Sequence, residues 1–295
     1  MSLYHTMISR TSIDKGWSDD RKYHAITSDG TSCLLRISSA DRLARKQQEF
    51  SHMQAAAALG IPMCLPLEFG TCEEGGYTIH SWVQGRDLEP ALLDMDPATR
   101  YRYGLDAGRI LRKIHSLPAP ADLPDWETRF GDKIRRKIAM YQSCPLKYDK
   151  GDAFIAYLER NRHILRDRPQ TYQHGDYHIG NMMLDEQGVL IIIDFDRDDF
   201  GDPWEEFNRI VWCAQAAPDF AAGMVDGYFD QEVPMAFWQL LALYISSNTL
   251  SSLPWAVSYG EAEIRVMQAQ AAQVLEWYED MTNVVPTWYR SRSGG

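Results

Sequence analysis

Short runs of β-forming residues, separated by polar turns, dominate the first third of the chain. A helical stretch from Asp41 to Leu59 interrupts them and ends at Gly60, with Pro62 just beyond, which is a typical helix stop. The pattern therefore predicts a small sheet with one helix, in the order β-β-α-β-β. The predicted strands are Lys22 to Thr27, Ser32 to Ser38, a strand that begins at Pro66, and Tyr77 to Val83.

After Gly85 the apolar residues follow helical spacing, and only one short apolar run, Val189 to Ile193, indicates a buried strand. The predicted fold class is therefore α+β. We expect an N-terminal lobe at residues 1–84 and a larger, mostly helical C-terminal lobe at residues 85–295. The predicted helices of the second lobe are Asp96 to Ser116, Asp132 to Tyr141, Asp152 to Leu165, and several from Trp204 onward.

The bulk composition is that of a globular protein with an acidic surface, because 45% of the residues are hydrophobic and the formal net charge is -11. Such a charge argues against nucleic acid or an anionic membrane as a partner and is compatible with a cationic ligand. The five cysteines include no C-x-x-C pair, and no signal peptide or membrane-spanning run is visible. We therefore expect a cytoplasmic protein with reduced thiols.

Three polar residues have the spacing expected of a phosphoryl-transfer site. Asp176 precedes Asn181 by five positions in a loop, and Asp194 follows a buried strand thirteen positions later. Phosphoryl transfer needs a carboxylate that orients the hydroxyl and hard oxygen ligands that hold Mg²⁺ on the phosphates. Each aspartate alone has an ordinary structural explanation, but the combination favours catalysis.

Several segments resemble the aminoglycoside phosphotransferase family, whose members are relatives of protein kinases. His174 to Asn181 is similar to the family's H-G-D-x-x-x-x-N loop, and Ile193-Asp194-Phe195 to its I-D-[FWY] segment. Gly201 to Phe207 resembles its G-D-P-x-x-D-L segment, with Glu206 where aspartate is usual. Tyr77 to Gly85 resembles its hinge, and Leu105 to Leu117 its G-x-x-L-x-x-L-H-x-L helix. The resemblance implies a two-lobed, protein-kinase-like fold.

The same resemblance implies roles for the three polar residues and for the hinge. Asp176 would orient the acceptor hydroxyl and accept its proton, whereas Asn181 and Asp194 would bind Mg²⁺. ATP or GTP would be the co-substrate, and the backbone of Ser81 and Val83 would bind the adenine edge. In this family the histidine that corresponds to His174 braces the catalytic loop by hydrogen bonds.

The phosphate-binding residues are expected upstream in the first lobe. Arg36 occupies the strand position where the family usually has a lysine, and it would bind the α- and β-phosphates with Glu49 as its acidic partner. There is no kinase-type G-x-G-x-x-G loop. The loop from Asp14 to Asp20 contains Gly16 and Ser18, whose N–H groups could contact a phosphate, although Asp19 and Asp20 would repel one if they pointed inward.

The acceptor is the least determined part of the prediction. An aminoglycoside-type antibiotic or related amino sugar is the first hypothesis, favoured if Asp199, Glu205 or Asp226 lines the pocket; a macrolide, choline or a similar metabolite is the alternative. Antibiotic resistance is then one option for the biological role. The acidic run around Glu206 could instead be a solvated loop in which Glu206 caps a helix or pairs with Arg209. Two other classes stay open, a nucleotide-binding pseudo-enzyme and a metal-dependent hydrolase with imidazole ligands.

Overall fold

The computed structural model describes residues 2–14 and 19–290. They divide into two compact units, one formed by Met1–Ala91 with Gly180–Asp198 and the other by Leu92–Ile179 with Asp199–Gly295. The strands are β1 Met7–Ile13, β2 Arg21–Thr27, β3 Ser32–Ser38, β4 Pro66–Cys72, β5 Gly75–Ser81, β6 Gly85–Asp87, β7 Thr171–Gln173, β8 Met182–Asp185, β9 Leu190–Ile192 and β10 Asp199–Gly201. The helices are α1 Leu3–Thr6, α2 Leu43–Ala57, α3 Leu88–Leu93, α4 Pro97–Ile114, α5 Trp126–Ser143, α6 Asp152–Asn161, α7 Ile210–Ala216, α8 Pro218–Phe229, α9 Met235–Val257 and α10 Glu261–Trp277.

The first unit is organised around an antiparallel sheet with the strand order β1-β2-β3-β5-β4. Alternate residues of its central strands, among them Leu35 and Ile79, share one buried hydrophobic cluster, and residues of the opposite face, such as Arg36, are buried as well. Helix α2 packs against β4 and β5 and buries Phe50 and Met53.

A smaller sheet with the order β6-β8-β9 completes the first unit. Its strands β8 and β9 come from residues 180–198, and hydrogen bonds from Cys64 N to Ile192 O and from Ile192 N to Pro62 O, both 3.0 Å, tie them to the N-terminal part of the chain. Gly85 is required here because a Cβ at this position would lie 2.1 Å from the carbonyl oxygen of Leu184.

Glycines let helices α4 and α8 of the second unit approach each other closely. A Cβ on Gly104 would lie 2.2 Å from Phe220 O, and one on Gly108 would lie 2.1 Å from Met224 O. Helix α9 is buried around most of its circumference and packs against α5, α6 and α10. The catalytic loop predicted from the sequence follows β7, which pairs with β10.

The structure confirms the mixed α+β fold and most of the predicted elements. Strand β3 coincides with the predicted Ser32–Ser38, and α2 lies within the predicted helical stretch. Strand β1 was not predicted, because its burial pattern is mostly exposed and its sequence lacks a marked alternation. Helix α5 begins at Trp126, six residues earlier than predicted.

The division into units differs from the expected lobe boundary after residue 84. The first unit extends to Ala91 and also takes in Gly180–Asp198, a segment predicted to belong to the C-terminal lobe. The physical reason is strand pairing, since β6 pairs with β8 in the register Gly85 to Asp185. Within the described residues, no helix has the length and apolar character needed to cross a membrane.

Candidate active site

The hairpin of β8 and β9 places Asn181 and Asp194 at the same end of the small sheet. Met182 pairs with Ile192, and the N–H of Ile193 donates to the carbonyl oxygen of Asn181 at 3.0 Å. Asp194 is the next residue, and its φ of 65° puts a residue that is not glycine in the left-handed region. Such a conformation costs on the order of 1–3 kcal/mol and is concentrated at functional sites.

Asn181 and Asp194 fit the donor set of a magnesium site. Both are half-buried, and they offer an amide oxygen and a carboxylate, the hard ligands that Mg²⁺ prefers. No group of three or more His, Cys, Asp or Glu suited to a metal ion occurs in residues 2–14 and 19–290. Mg²⁺ at a nucleotide site does not need such a group, because phosphates and waters complete its coordination.

Arg36 on β3 is buried among three carboxylates of the first unit. Its Nη1 lies 2.9 Å from Oδ1 of Asp194, its Nη2 lies 3.2 Å from Oδ2 of Asp20, and the same Nη2 contacts Asp196. The guanidinium is therefore fixed in place beside the candidate metal ligand Asp194.

The side chain of Asp20 points into the first unit. A carboxylate in this position would repel a phosphate unless neighbouring cations balanced its charge. Its side chain is 1% exposed and is bound by Lys46 at 3.0 Å as well as by Arg36, while Ser38 donates a hydrogen bond at 2.9 Å. Burial alone would raise the pKa of Asp20, but the charges of Lys46 and Arg36 outweigh it and hold the pKa below its ordinary value. No local sequence pattern predicts this buried network.

The predicted ion pair between Arg36 and Glu49 is wrong. Among the described residues, Glu49 pairs with Arg45 at 2.6 Å and with Lys46 at 2.8 Å, its neighbours on α2. Lys46 is buried, and it links Glu49 to Asp20. Its position three residues before Glu49 is the signal that could have identified it, because residues so spaced meet on one helix face.

Of the two predicted hinge residues, Ser81 is the last residue of β5, and Val83 lies in the irregular segment that follows it in the first unit. The N–H of Ser81 donates to Leu65 O at 2.8 Å, and the Oγ of Ser81 accepts the N–H of Leu65 at 2.7 Å. The backbone of Val83 forms no hydrogen bond with another described residue. Ser18, the remaining predicted nucleotide contact, lies outside the described residues.

In the second unit, Glu206 holds the loop that carries Asp176. Glu206 is 2% exposed, its Oε2 accepts the N–H of His174, and its Oε1 accepts the N–H of Gly175, both at 2.7 Å. Gly175 has a φ of 85°, which favours glycine, and Nδ1 of buried His174 accepts the N–H of Asp176 at 3.3 Å. Thus His174 has the bracing position expected from the resemblance.

The carboxylate of Asp176 faces basic side chains of the same unit. Its Oδ1 lies 3.2 Å from Nε of Arg209 and 3.7 Å from Nε2 of His178, and its side chain is 18% exposed. Arg209 therefore pairs with Asp176 and not with Glu206. The carboxylate is therefore held in place and partly accessible to solvent.

The acidic run after Asp199 is not a solvated loop. Asp202 is fully buried and receives a bidentate pair from Arg168, at 2.6 Å and 2.9 Å. Glu205 is buried beside Lys133, at 3.1 Å. Asp226 is buried and accepts hydrogen bonds from the hydroxyls of Tyr101 and Tyr289, both at 2.7 Å.

A cavity of about 540 Å³ lies along one face of α5 in the second unit. This volume is within the range typical of small-molecule sites. Asp199 is the only one of the three candidate acceptor-binding acids among its lining residues. The cavity is lined by Trp126, Arg129, Phe130, Asp132, Lys133, Arg135, Arg136 and Asp199.

Known structures share this fold. An aminoglycoside phosphotransferase APH(4)-Ia, in a complex with ADP and hygromycin B, is 18% identical, with 99% of this chain and 97% of that chain covered and a TM-score of 0.65. The amicoumacin kinase hAmiN with AMP-PNP and Ca²⁺ is 15% identical, at 94% and 90% coverage and a TM-score of 0.63. A choline/ethanolamine kinase family protein from Mesorhizobium loti is 16% identical, at 93% and 91% coverage and a TM-score of 0.66.

The sequence itself also matches a family model, and this match indicates family membership more directly than the distant structural likenesses do. The model of the phosphotransferase enzyme family APH matches residues 9–238, which span β1 to the start of α9 and include Arg36, Asp176, Asn181 and Asp194. This match confirms the resemblance found in the sequence. The chain therefore belongs to the APH phosphotransferase enzyme family.

Proposed function

We propose that this protein is a kinase that transfers the γ-phosphoryl group of ATP or GTP to a hydroxyl of a small molecule. The observation that carries the proposal is the arrangement of Asn181 and Asp194 at one end of a hairpin, with Arg36 bound to Asp194. The named ligands of the fold relatives support it, since ADP, AMP-PNP, hygromycin B and amicoumacin occur in their complexes.

The donor side of the proposed reaction belongs to the first unit. Asn181 and Asp194 would hold Mg²⁺, which neutralises charge on the phosphates when bound. Arg36, in a fixed position beside Asp194, would bind the phosphates through its guanidinium. The carbonyl of Ser81 and the N–H of Val83 would bind the nucleotide base.

The acceptor side belongs to the second unit. Oδ2 or Oδ1 of Asp176 would accept the proton of the acceptor hydroxyl as its oxygen forms a bond to the γ-phosphorus. The bond between that phosphorus and the β–γ bridging oxygen breaks, and ADP or GDP leaves. Arg209 and the backbone bonds to Glu206 would keep the carboxylate in a fixed orientation during this step.

The test is acceptor-dependent phosphorylation by the purified chain with Mg-ATP and Mg-GTP, with the product identified by ³¹P NMR and mass spectrometry. Asp176→Asn should lower kcat at least about 100-fold and leave the nucleotide Kd within about twofold. Asp194→Asn should weaken binding of the Mg-nucleotide. Asp94→Asn, an exposed acid of the second unit, is the matched control.

Phosphorylation that proceeds unchanged in Asp176→Asn would overturn the assigned base. Acceptor-independent hydrolysis that requires zinc would favour a metal-dependent hydrolase. Nucleotide binding without turnover of any acceptor would favour a binding protein.

A further inference from the structure

Every second residue of the segment from Asp194 to Asp198 is an aspartate, and each of the three is bound by a basic side chain of the first unit. Asp194 lies 2.9 Å from Nη1 of Arg36, and Asp196 contacts the same guanidinium. Asp198 is bound by His52 of α2, whose Nδ1 lies 2.6 Å from Oδ2 of Asp198. The segment that begins with the proposed magnesium ligand is therefore attached to α2 at its other end.

The contact between His52 and Asp198 joins two groups that are largely removed from solvent. The side chain of Asp198 is 4% exposed and that of His52 is 25% exposed. The two residues are 146 positions apart in the sequence, so only folding brings them together. Because an ionised carboxylate can only accept hydrogen bonds, Nδ1 of His52 carries the proton of this bond. A buried carboxylate that lost its donor would be destabilised, and the bond is therefore strongly favoured in the folded chain.

The hydrogen bond lies next to other charged side chains of α2. Lys46, Glu49 and His52 follow one another at intervals of three positions, which places them along one side of the helix. Burial raises the pKa of Asp198 to about 6, in the same direction as the charge of Glu49. The hydrogen bond with His52 and the charge of Arg45 act in the opposite direction. At pH 8 the carboxylate of Asp198 is therefore ionised.

The attachment at Asp198 is independent of the residue proposed to bind the phosphates. When a nucleotide binds, the guanidinium of Arg36 would turn part of its hydrogen bonding to the phosphates, and its contacts with Asp194 and Asp196 would weaken. The bond from His52 to Asp198 involves neither Arg36 nor a phosphate. It can therefore hold the segment while Arg36 is engaged with the nucleotide.

We propose that His52 and Asp198 are positioning residues of the donor site, whose hydrogen bond holds residues 194–198 on α2 and thereby fixes the carboxylate of Asp194 for Mg²⁺. Neither residue would touch the nucleotide or the acceptor. The inference rests on the proposed kinase function, because it assigns a role in placing that function's metal ligand. It predicts that loss of the bond affects the metal-dependent part of nucleotide binding.

Calorimetry at pH 8 with Mg-ADP, and with ADP in the presence of a chelator, separates positioning from folding. His52→Ala and Asp198→Ala should each raise the Kd of Mg-ADP about fivefold or more and leave that of metal-free ADP within about twofold, because only the first depends on Asp194. Asp198→Asn keeps an oxygen that accepts the bond from His52, and it should restore the Kd of Mg-ADP to within about twofold of the wild type. His163→Ala, which removes an exposed histidine of the second unit, is the matched control.

The double variant shows whether the two side chains act as one unit. His52→Ala combined with Asp198→Ala should raise the Kd of Mg-ADP no more than either single variant does, because each already breaks the same bond. Independent, additive losses would overturn the proposal. Equal losses for Mg-ADP and metal-free ADP would also overturn it, since they would indicate general damage to the first unit.

Hydrogen exchange measured by mass spectrometry tests the bond without a ligand. Peptides that contain residues 194–198 should exchange several-fold faster in His52→Ala than in the wild type, and Asp198→Asn should stay close to the wild type. Faster exchange with an unchanged Kd of Mg-ADP would overturn the positioning role while leaving the kinase function intact. Unchanged exchange in His52→Ala would also overturn it. If the wild type binds no Mg-nucleotide at all, the proposed kinase function fails, and the positioning role fails with it.

Discussion

Nη1 of Arg36 lies 2.9 Å from Oδ1 of Asp194, so the proposed phosphate-binding residue directly contacts the proposed magnesium ligand. The same guanidinium binds Asp20, and both of those side chains are almost fully buried. Binding of a Mg-nucleotide would redistribute these contacts, because phosphates and Mg²⁺ compete for the same two groups. Stability and nucleotide binding should therefore depend together on Arg36.

Arg36→Met is expected to lower the free energy of unfolding by about 3 kcal/mol, because it leaves the buried carboxylate of Asp20 with one cation fewer. It should also weaken Mg-nucleotide binding at least about tenfold. Chemical denaturation and calorimetry would measure the two effects. Arg21→Met, which removes an exposed ion pair with Glu74, is the control and should change neither by much. Normal nucleotide affinity in Arg36→Met would exclude Arg36 as the phosphate ligand.

Glu206→Gln is expected to lower kcat about tenfold or more and the free energy of unfolding by about 2 kcal/mol. A glutamine oxygen can accept only one of the two N–H bonds that His174 and Gly175 donate, and its amide group opposes the other. The nucleotide Kd should stay within about twofold, because Glu206 acts on the acceptor side. Steady-state kinetics and denaturation are the measurements, with exposed Glu186→Gln as the control. A loss of stability without a loss of kcat would show that loop position does not limit catalysis.

The stability contribution of Lys137 should depend on pH. Its pKa in the folded protein is lowered to about 7 from 10.5, so between these values the unfolded state binds more protons and the stability of the wild type rises with pH. Lys137→Met should therefore raise Tm at pH 6, where the partly buried side chain of Lys137 is charged, and the gain should shrink toward pH 10. Thermal scans across this range, with Lys113→Met as the reference, would measure it. A gain that does not change with pH would contradict a lowered pKa.

The close crossing of α4 and α8 predicts opposite changes in stability for two glycine-to-alanine variants. Gly108→Ala should destabilise the protein by about 2 kcal/mol or more, because its Cβ would lie 2.1 Å from Met224 O. In Gly131→Ala on α5 the nearest atom is 3.8 Å away, at the flexible end of Arg135, and this variant should gain about 0.5–1 kcal/mol from helix propensity. Denaturation of both variants provides the measurement. Stabilisation of Gly108→Ala would mean that the helices lie farther apart.

Local patterns predicted the elements and the three proposed catalytic and metal-binding residues, because those signals lie within a few residues of one another. Strand β3 and helix α2 are examples in which alternation, helix spacing and a glycine stop agreed with the structure. The partners of charged residues could not be predicted in this way. Asp20 meets Lys46 only because folding brings the residue before β2 to the first turn of α2, and the pairing of Asp176 with Arg209 joins residues far apart in the sequence.

The interleaving of the two units along the chain has a consequence for synthesis. Strand β6 pairs with β8, which the ribosome produces only after the 88 residues of Leu92–Ile179. At about 5–20 residues per second, this separation corresponds to a delay of roughly 4–18 s, during which the first sheet is present but its small companion sheet is incomplete. The nascent N-terminal segment therefore exposes an unpaired strand edge until residues 182–192 emerge. Residues 180–198, which carry the proposed metal ligands Asn181 and Asp194, thus also complete the smaller sheet of the first unit.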